Sequence, residues 1–227
     1  MLQADNKRPN VILVLVDDMG FSDLGLTGSE IRTPNIDSIA RNGVLLSAMY
    51  NCARCCPTRA ALLTGLYPHN AGIGHMGAYL GSPAYQGFLR NDGATIAEAL
   101  RLAGYRTLMS GKWHVGGDYT ARLVDSWRVG DLEHPTPRQR GFDRFYGFVD
   151  GVMNYFSPHY MMEDDGRVEV SPTEFYLTAA ITDNAKGFAQ AVAPRFGISA
   201  DEALGSGIAL VGTLWYCHVT GLPIDRR

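Results

Sequence analysis

The sequence predicts an α/β fold, a mostly parallel sheet flanked by helices. Three observations carry that expectation. Residues 10–16, NVILVLV, form an unbroken run rich in β-branched side chains, which reads as a strand buried on both faces. Helix-like segments with stop signals recur between such runs, at 33–43, 57–65 and 94–104. Polar or glycine-containing turns that carry reactive side chains follow three of the runs, as at the carboxyl ends of strands in open α/β sheets.

Taken in order, the first strand ends in Asp17-Asp18, and Met19-Gly20 turns the chain. TPNIDSIARNG predicts a short helix with Thr33 as N-cap, Pro34 in the first turn and Gly43 as stop. VLLSAMY, 44–50, predicts a second strand. PTRAALLTG predicts a helix opened by Pro57 and closed near Gly65. ATIAEALRLAG is helical to Gly104, YRTLMS (105–110) is a strand, and GKWHVGG is its C-terminal turn. Residues 117–140 read as a polar loop or insertion, and GFDRFYGFVDG as a packed turn leading to a strand. Residues 171–192 predict a helix, with a capping box from Ser171 and Glu174, Pro172 at its first position, and apolar residues at 177, 181, 185, 188 and 192. From about Phe196 this rhythm is lost, although 205–223 has room for one strand.

The 227 residues suffice for one ordinary domain. A net charge of −3 gives no sign of a nucleic-acid partner. No apolar run approaches the ~20 residues of a membrane span. The polar opening MLQADNKRPN is not a signal peptide, which leaves the compartment undecided.

Chemistry concentrates in CARCCPTRAALLTG, 52–65. Cys52-x-x-Cys55 has redox spacing, but nothing else supports a dithiol enzyme. A zinc knuckle needs about four ligands, and no second Cys or His pair stands at suitable spacing. The third reading makes Cys55 a single reactive position at a helix N-terminus, where free N–H groups and the macrodipole favour negative charge. Arg59 lies one turn on. Asp17 and Asp18 offer hard oxygen ligands suited to Ca²⁺ or Mg²⁺, and Lys112 and His114 follow a third strand. His69, His75, His134 and His159 carry no such context.

These stretches resemble one family. CCPTRAALLTG resembles the sulfatase motif C-x-P-x-R-x-x-x-x-T-G, and GYRTLMSGKWH (104–114) its second motif, G-Y-x-T-x-x-x-G-K-x-H. PNVILVLVDDMGFSDLG resembles the family's opening strand and metal-binding aspartates. TPNIDSIARNGV and RGFDRFYGF also look like sulfatase text. The resemblance covers roughly residues 8–192. It implies an alkaline-phosphatase-like α/β fold and an arylsulfatase-type sulfuric ester hydrolase. Cys55 would be oxidised to formylglycine by a formylglycine-generating enzyme. One hydroxyl of the hydrated aldehyde would attack sulfur, and the second would help expel sulfate. Asp17, Asp18 and the residue at 55 would hold Ca²⁺, or Mg²⁺, and Arg59, Lys112 and His114 would hold the hydrate and the sulfate. Cys52 and Cys56 look like bystanders. The substrate would be a small-molecule or carbohydrate sulfate ester. The resemblance leaves open a phosphonate monoester or phosphodiester hydrolase of the same superfamily, and a catalytically inactive fragment.

Family members are longer, often exported, periplasmic or lysosomal, and carry a further Asp-Asn metal pair, His and Lys. Asp183-Asn184 lies inside the expected helix and is set aside, and the surroundings of His218 do not match. The expected organisation is therefore the N-terminal part of a sulfatase catalytic domain at 8–195 and a divergent tail at 196–227, with the C-terminal subdomain absent. A truncated, frameshifted or mis-spliced reading frame would explain that tail. A marginal fold with low turnover is the physical expectation.

Overall fold

A computed structural model describes residues 9–117, 131–132, 134–159, 161–171, 173–192 and 208–215. The strands are β1 (Val11–Asp17), β2 (Arg106–Lys112), β3 (Arg144–Phe148), β4 (Met161–Glu163), β5 (Gly166–Val168) and β6 (Ile208–Trp215). The helices are α1 (Pro34–Asn42), α2 (Cys55–Thr64), α3 (Ile96–Leu102) and α4 (Leu177–Val192). The α/β class is as expected. The sheet runs β1-β6-β2-β3-β4-β5. β2 pairs in parallel with both β6 and β3, while β3–β4 and β4–β5 are antiparallel. The sheet is therefore mixed rather than mostly parallel. The antiparallel part comes from a two-residue hairpin between β4 and β5, a connection too short for any parallel pair.

The chain divides into two compact units, one of residues 1–15 and 51–214, the other of 16–50 and 215–227. In the first, β2 is buried along most of its length. Its flank is covered by α4, whose Leu177, Ile181 and Phe188 are buried. Ser110 Oγ on β2 donates to the Ile181 carbonyl at 2.7 Å. α3 is opened by a true capping box: Thr95 Oγ1 accepts from Glu98 N at 3.1 Å, and Thr95 N donates to Glu98 Oε2 at 2.7 Å. Glu98 also pairs with the buried Arg140 at 2.9 Å. Gly147 stands opposite Gly111 in the β2–β3 register, so close that a Cβ on it would lie 1.9 Å from the Gly111 carbonyl oxygen. No residue with a side chain fits there.

The second unit is organised around Asp37. Thr33 Oγ1 donates to Asp37 Oδ1 at 2.7 Å and accepts from Gly25 N, while Leu26 N donates to the same carboxylate. Pro34 opens α1 as expected.

Several expectations are corrected. β1 is not covered on both faces: Ile12 and Val14 are each 51% exposed, so the run alternates. Residues 44–50 form no strand, and Val44, Leu46, Met49 and Tyr50 face solvent, because among the described residues no neighbouring strand receives them. Lys112 closes β2 rather than lying in the turn after it. RFYGF, 144–148, is itself a strand. α4 starts at Leu177, since the Ser171 carbonyl accepts from Glu174 N and Phe175 N in a turn instead of starting the helix. Pro172, His218, most of the 117–140 loop and most of 196–227 lie outside the described residues.

Candidate active site

α2 places the reactive end of the molecule. Gly65 closes it in the left-handed region at φ +70, its N–H donating to the Ala61 carbonyl at 2.8 Å. Cys56, Ala60 and Leu63 recur at helical spacing and form its buried face. Cys55 and Cys56 occupy the first turn, where unpaired N–H groups and the positive end of the macrodipole favour a thiolate.

The end of β2 supplies the opposing groups. Lys112 is buried, and its carbonyl accepts from Arg59 Nη1 at 2.7 Å. That bond ties α2 to the sheet and fixes the guanidinium, which is 3% exposed. Trp113 anchors the turn, its indole N–H donating to the Pro135 carbonyl at 2.7 Å. His114 follows in the left-handed region at φ +55, with its backbone N–H on the Val149 carbonyl at 3.2 Å. The backbone strain there fixes where the imidazole points. Gly151 lies flat against that ring, and a Cβ on it would come within 2.4 Å of Nε2.

His114 Nε2 lies 3.1 Å from Cys56 Sγ. Cys55, Cys56 and His114 bring their ligand atoms within 4.8 Å of one another. The Cys55 thiol is held far below the ordinary thiol value, at about 3. Hydrogen bonding from Cys56 is the main cause, and it acts with His114 and the Lys112 charge against partial burial. Cys56 is pushed upward by its bond to Cys55 and by burial. Within the pair, ionisation of Cys55 is favoured and that of Cys56 disfavoured.

The structure thus gathers Cys55, Arg59, Lys112 and His114 in one unit. Asp17 and Asp18 end β1 in the other, Asp17 half-buried and Asp18 exposed at φ +56. Cys56, set aside as a bystander, is fully buried against His114. The 56/60/63 spacing was the signal that placed it inward. Among the described residues Cys52 lies apart from this cluster, with its N–H on Thr58 Oγ1 at 3.2 Å.

Comparison with known proteins bears on this arrangement. The family model described as Sulfatase matches residues 9–198. The arylsulfatase of Klebsiella aerogenes is 34% identical over 190 residues, covering 78% of this chain and 38% of that protein. Arylsulfatase D of Homo sapiens is 34% identical over 219 residues, covering 94% of this chain and 35% of that protein. The crystal structure of Ps i-CgsB superposes with a TM-score of 0.71 at 28% identity, over 94% of this chain and 46% of that one. The structure of BT4656 in complex with its substrate D-glucosamine-2-N,6-O-disulfate gives 0.64 at 26% identity, over 91% and 34%. The chain spans well under half the length of the curated relatives it matches.

Proposed function

The chain belongs to the sulfatase family of hydrolases, and from that premise we propose that it carries the nucleophile end of an arylsulfatase-type sulfuric ester hydrolase. It would cleave sulfate monoesters of small molecules or carbohydrates through a formylglycine made from Cys55. The supporting observation is Cys55 in the first turn of α2, with Lys112 and His114 close enough to depress its pKa and Arg59 one turn on. Sulfated sugar as substrate is supported by the disulfated glucosamine bound in BT4656.

The side chain at 55 suits the modification, being partly accessible while Cys56 and Arg59 are buried. A formylglycine there would supply a hydrated aldehyde whose hydroxyl attacks sulfur. Arg59, with its guanidinium held on the Lys112 carbonyl, keeps a fixed positive charge beside the site. The first-turn N–H groups of α2 add donors for sulfate oxygens. His114 offers an imidazole for proton transfer, with its backbone N–H bonded to the Val149 carbonyl and Gly151 against its ring. Lys112 adds charge that favours an anion.

A divalent cation, Ca²⁺ or Mg²⁺, would fall to Asp17, Asp18 and the residue at 55. The two carboxylates fit such an ion in kind, as hard oxygen donors. They fall short in number, since calcium takes six to eight oxygens. Among the described residues neither aspartate joins a cluster of three ligating side chains. That shortfall, with the share of its relatives the chain spans, favours one second reading, a sulfatase fragment with little turnover.

The test is co-expression with a formylglycine-generating enzyme. It is followed by mass spectrometry of the peptide containing residue 55 and by assays on a chromogenic aryl sulfate and the matching phosphate and phosphonate esters. Formylglycine at 55 with sulfate turnover supports the hydrolase. Formylglycine without turnover supports the fragment reading. Preference for the phosphate or phosphonate ester, or an unmodified thiol at 55, contradicts the proposal.

A further inference from the structure

We propose that Cys55, Cys56 and His114 form a binding site for a thiophilic divalent cation, zinc above all, in the chain whose Cys55 has not been converted. The donors are two sulfurs and an imidazole nitrogen, a soft set that selects against calcium and for zinc or its spectroscopic substitute cobalt. The proposal does not depend on the hydrolase reading, because it concerns the thiol form of the chain.

Geometry carries it. Zinc bonds sulfur at about 2.3 Å and nitrogen at about 2.0–2.1 Å, so tetrahedral ligand atoms stand roughly 3.4–3.8 Å apart. Here Cys56 Sγ and His114 Nε2 are 3.1 Å apart, and all three ligand atoms lie within 4.8 Å of one another. Shifts of about an ångström in side-chain torsions bring them to bonding positions on one ion. Two of the three are held in place beforehand. Cys56 is fully buried on the inner face of α2, and His114 is fixed by its left-handed backbone, by the Val149 carbonyl and by Gly151 against its ring. Cys55 is half-exposed, so the fourth position of a tetrahedron opens toward solvent.

The electrostatics are balanced. The Cys55 bond and burial disfavour ionisation of Cys56, so Cys56 loses its proton only on binding the ion, and the two thiolates then offset the charge of the divalent cation. One feature limits affinity. His114 Nδ1 is buried without a hydrogen-bond partner among the described residues, so the usual outer partner of a zinc-bound imidazole is missing. Loss of such a partner typically weakens a site by about 10–100-fold. An ion on Cys55 Sγ would also occupy the thiolate on which any modification of that residue depends.

The test uses the full chain, reduced, metal-free and produced without a formylglycine-generating enzyme. Cobalt is titrated in and followed by its thiolate charge-transfer and tetrahedral d–d absorption, then displaced with zinc. The expected result is one cobalt per chain with both band types. Cys56→Ser should bind at least tenfold more weakly with reduced charge-transfer intensity, and Cys52→Ser should bind like the parent. A melting curve checks that Cys56→Ser is folded. As a measurement that needs no variant, zinc should protect Cys55 from iodoacetamide in the parent chain, read by peptide mapping, and leave Cys52 reactive. Absence of tetrahedral cobalt bands, parent-like binding by a folded Cys56→Ser, or protection of Cys52 instead would each overturn the site. None of these outcomes bears on sulfate-ester turnover.

Discussion

At the residue scale, the candidate site depends on small side chains as much as on reactive ones. Gly151 is the sharpest case. It faces the His114 ring, and a Cβ would stand 2.4 Å from Nε2 and 2.6 Å from Cε1. The imidazole cannot retreat freely, because its backbone N–H is bonded to the Val149 carbonyl and Cys56 Sγ lies 3.1 Å from the ring. Gly151→Ala should therefore overpack the site and destabilise the fold by about 1–3 kcal/mol, read as a shift in urea midpoint. Gly166→Ala is the control. Its Cβ would meet nothing nearer than 3.5 Å, and the expected change is within about 0.5 kcal/mol. Equal effects of the two substitutions would show that His114 is not held as described. None of this was readable beforehand, since the run VDGVM gives no sign that its glycine meets a histidine 37 positions earlier.

At the scale of elements, what was legible depended on whether the decisive interaction is local. α1 and α3 were legible from local signals, Pro34 in the first turn of one and Gly104 as the stop after the other, although Thr33 Oγ1 bonds Gly25 N and Asp37 rather than capping α1. The start of α2 was legible within two residues, from Pro57 in its first turn. Residues 44–50 were not, because an apolar run becomes a strand only when another strand accepts it, and none among the described residues does. The capping box over Ser171 and Glu174 misled for the opposite reason: the local pattern is present, but the chain turns there and α4 begins at Leu177. The contact of Cys56 with His114 was not legible, because the two stand 58 residues apart. α3 also carries a pH-dependent element. Burial pushes Glu98 upward, but the Arg140 hydrogen bond and the Thr95 N–H outweigh it, so its carboxyl sits below the ordinary value. A carboxylate depressed in the folded state contributes stability that is present above its unfolded pKa, ~4.3, and is lost as pH falls below it. The difference in melting temperature between the parent and Glu98→Gln should therefore narrow from pH 6 to pH 3. A difference independent of pH would remove Glu98 from the stabilising network.

At the scale of the whole molecule, the exposed face of β1 matters most. β1 stands at one end of the strand order, and Ile12 and Val14 are half-exposed on it. An edge strand with unpaired backbone groups and an apolar outer face is a template for pairing with another chain. Such residues contribute little to the stability of the isolated chain, because burial supplies their stabilisation and they are not buried. They should contribute strongly to self-association. Val14→Lys places a charge on the exposed side of the edge without touching the packed one. It should change the urea midpoint by no more than about 0.5 kcal/mol. It should also lower the fraction of larger species in sedimentation velocity across a concentration series. The same substitution at the neighbouring Leu13, which packs against the core, should instead unfold the chain. Association that persists unchanged in Val14→Lys would show that β1 is not the adhesive edge, and the exposed side chains of 44–50, Val44, Leu46 and Met49 among them, would become the next surface to charge.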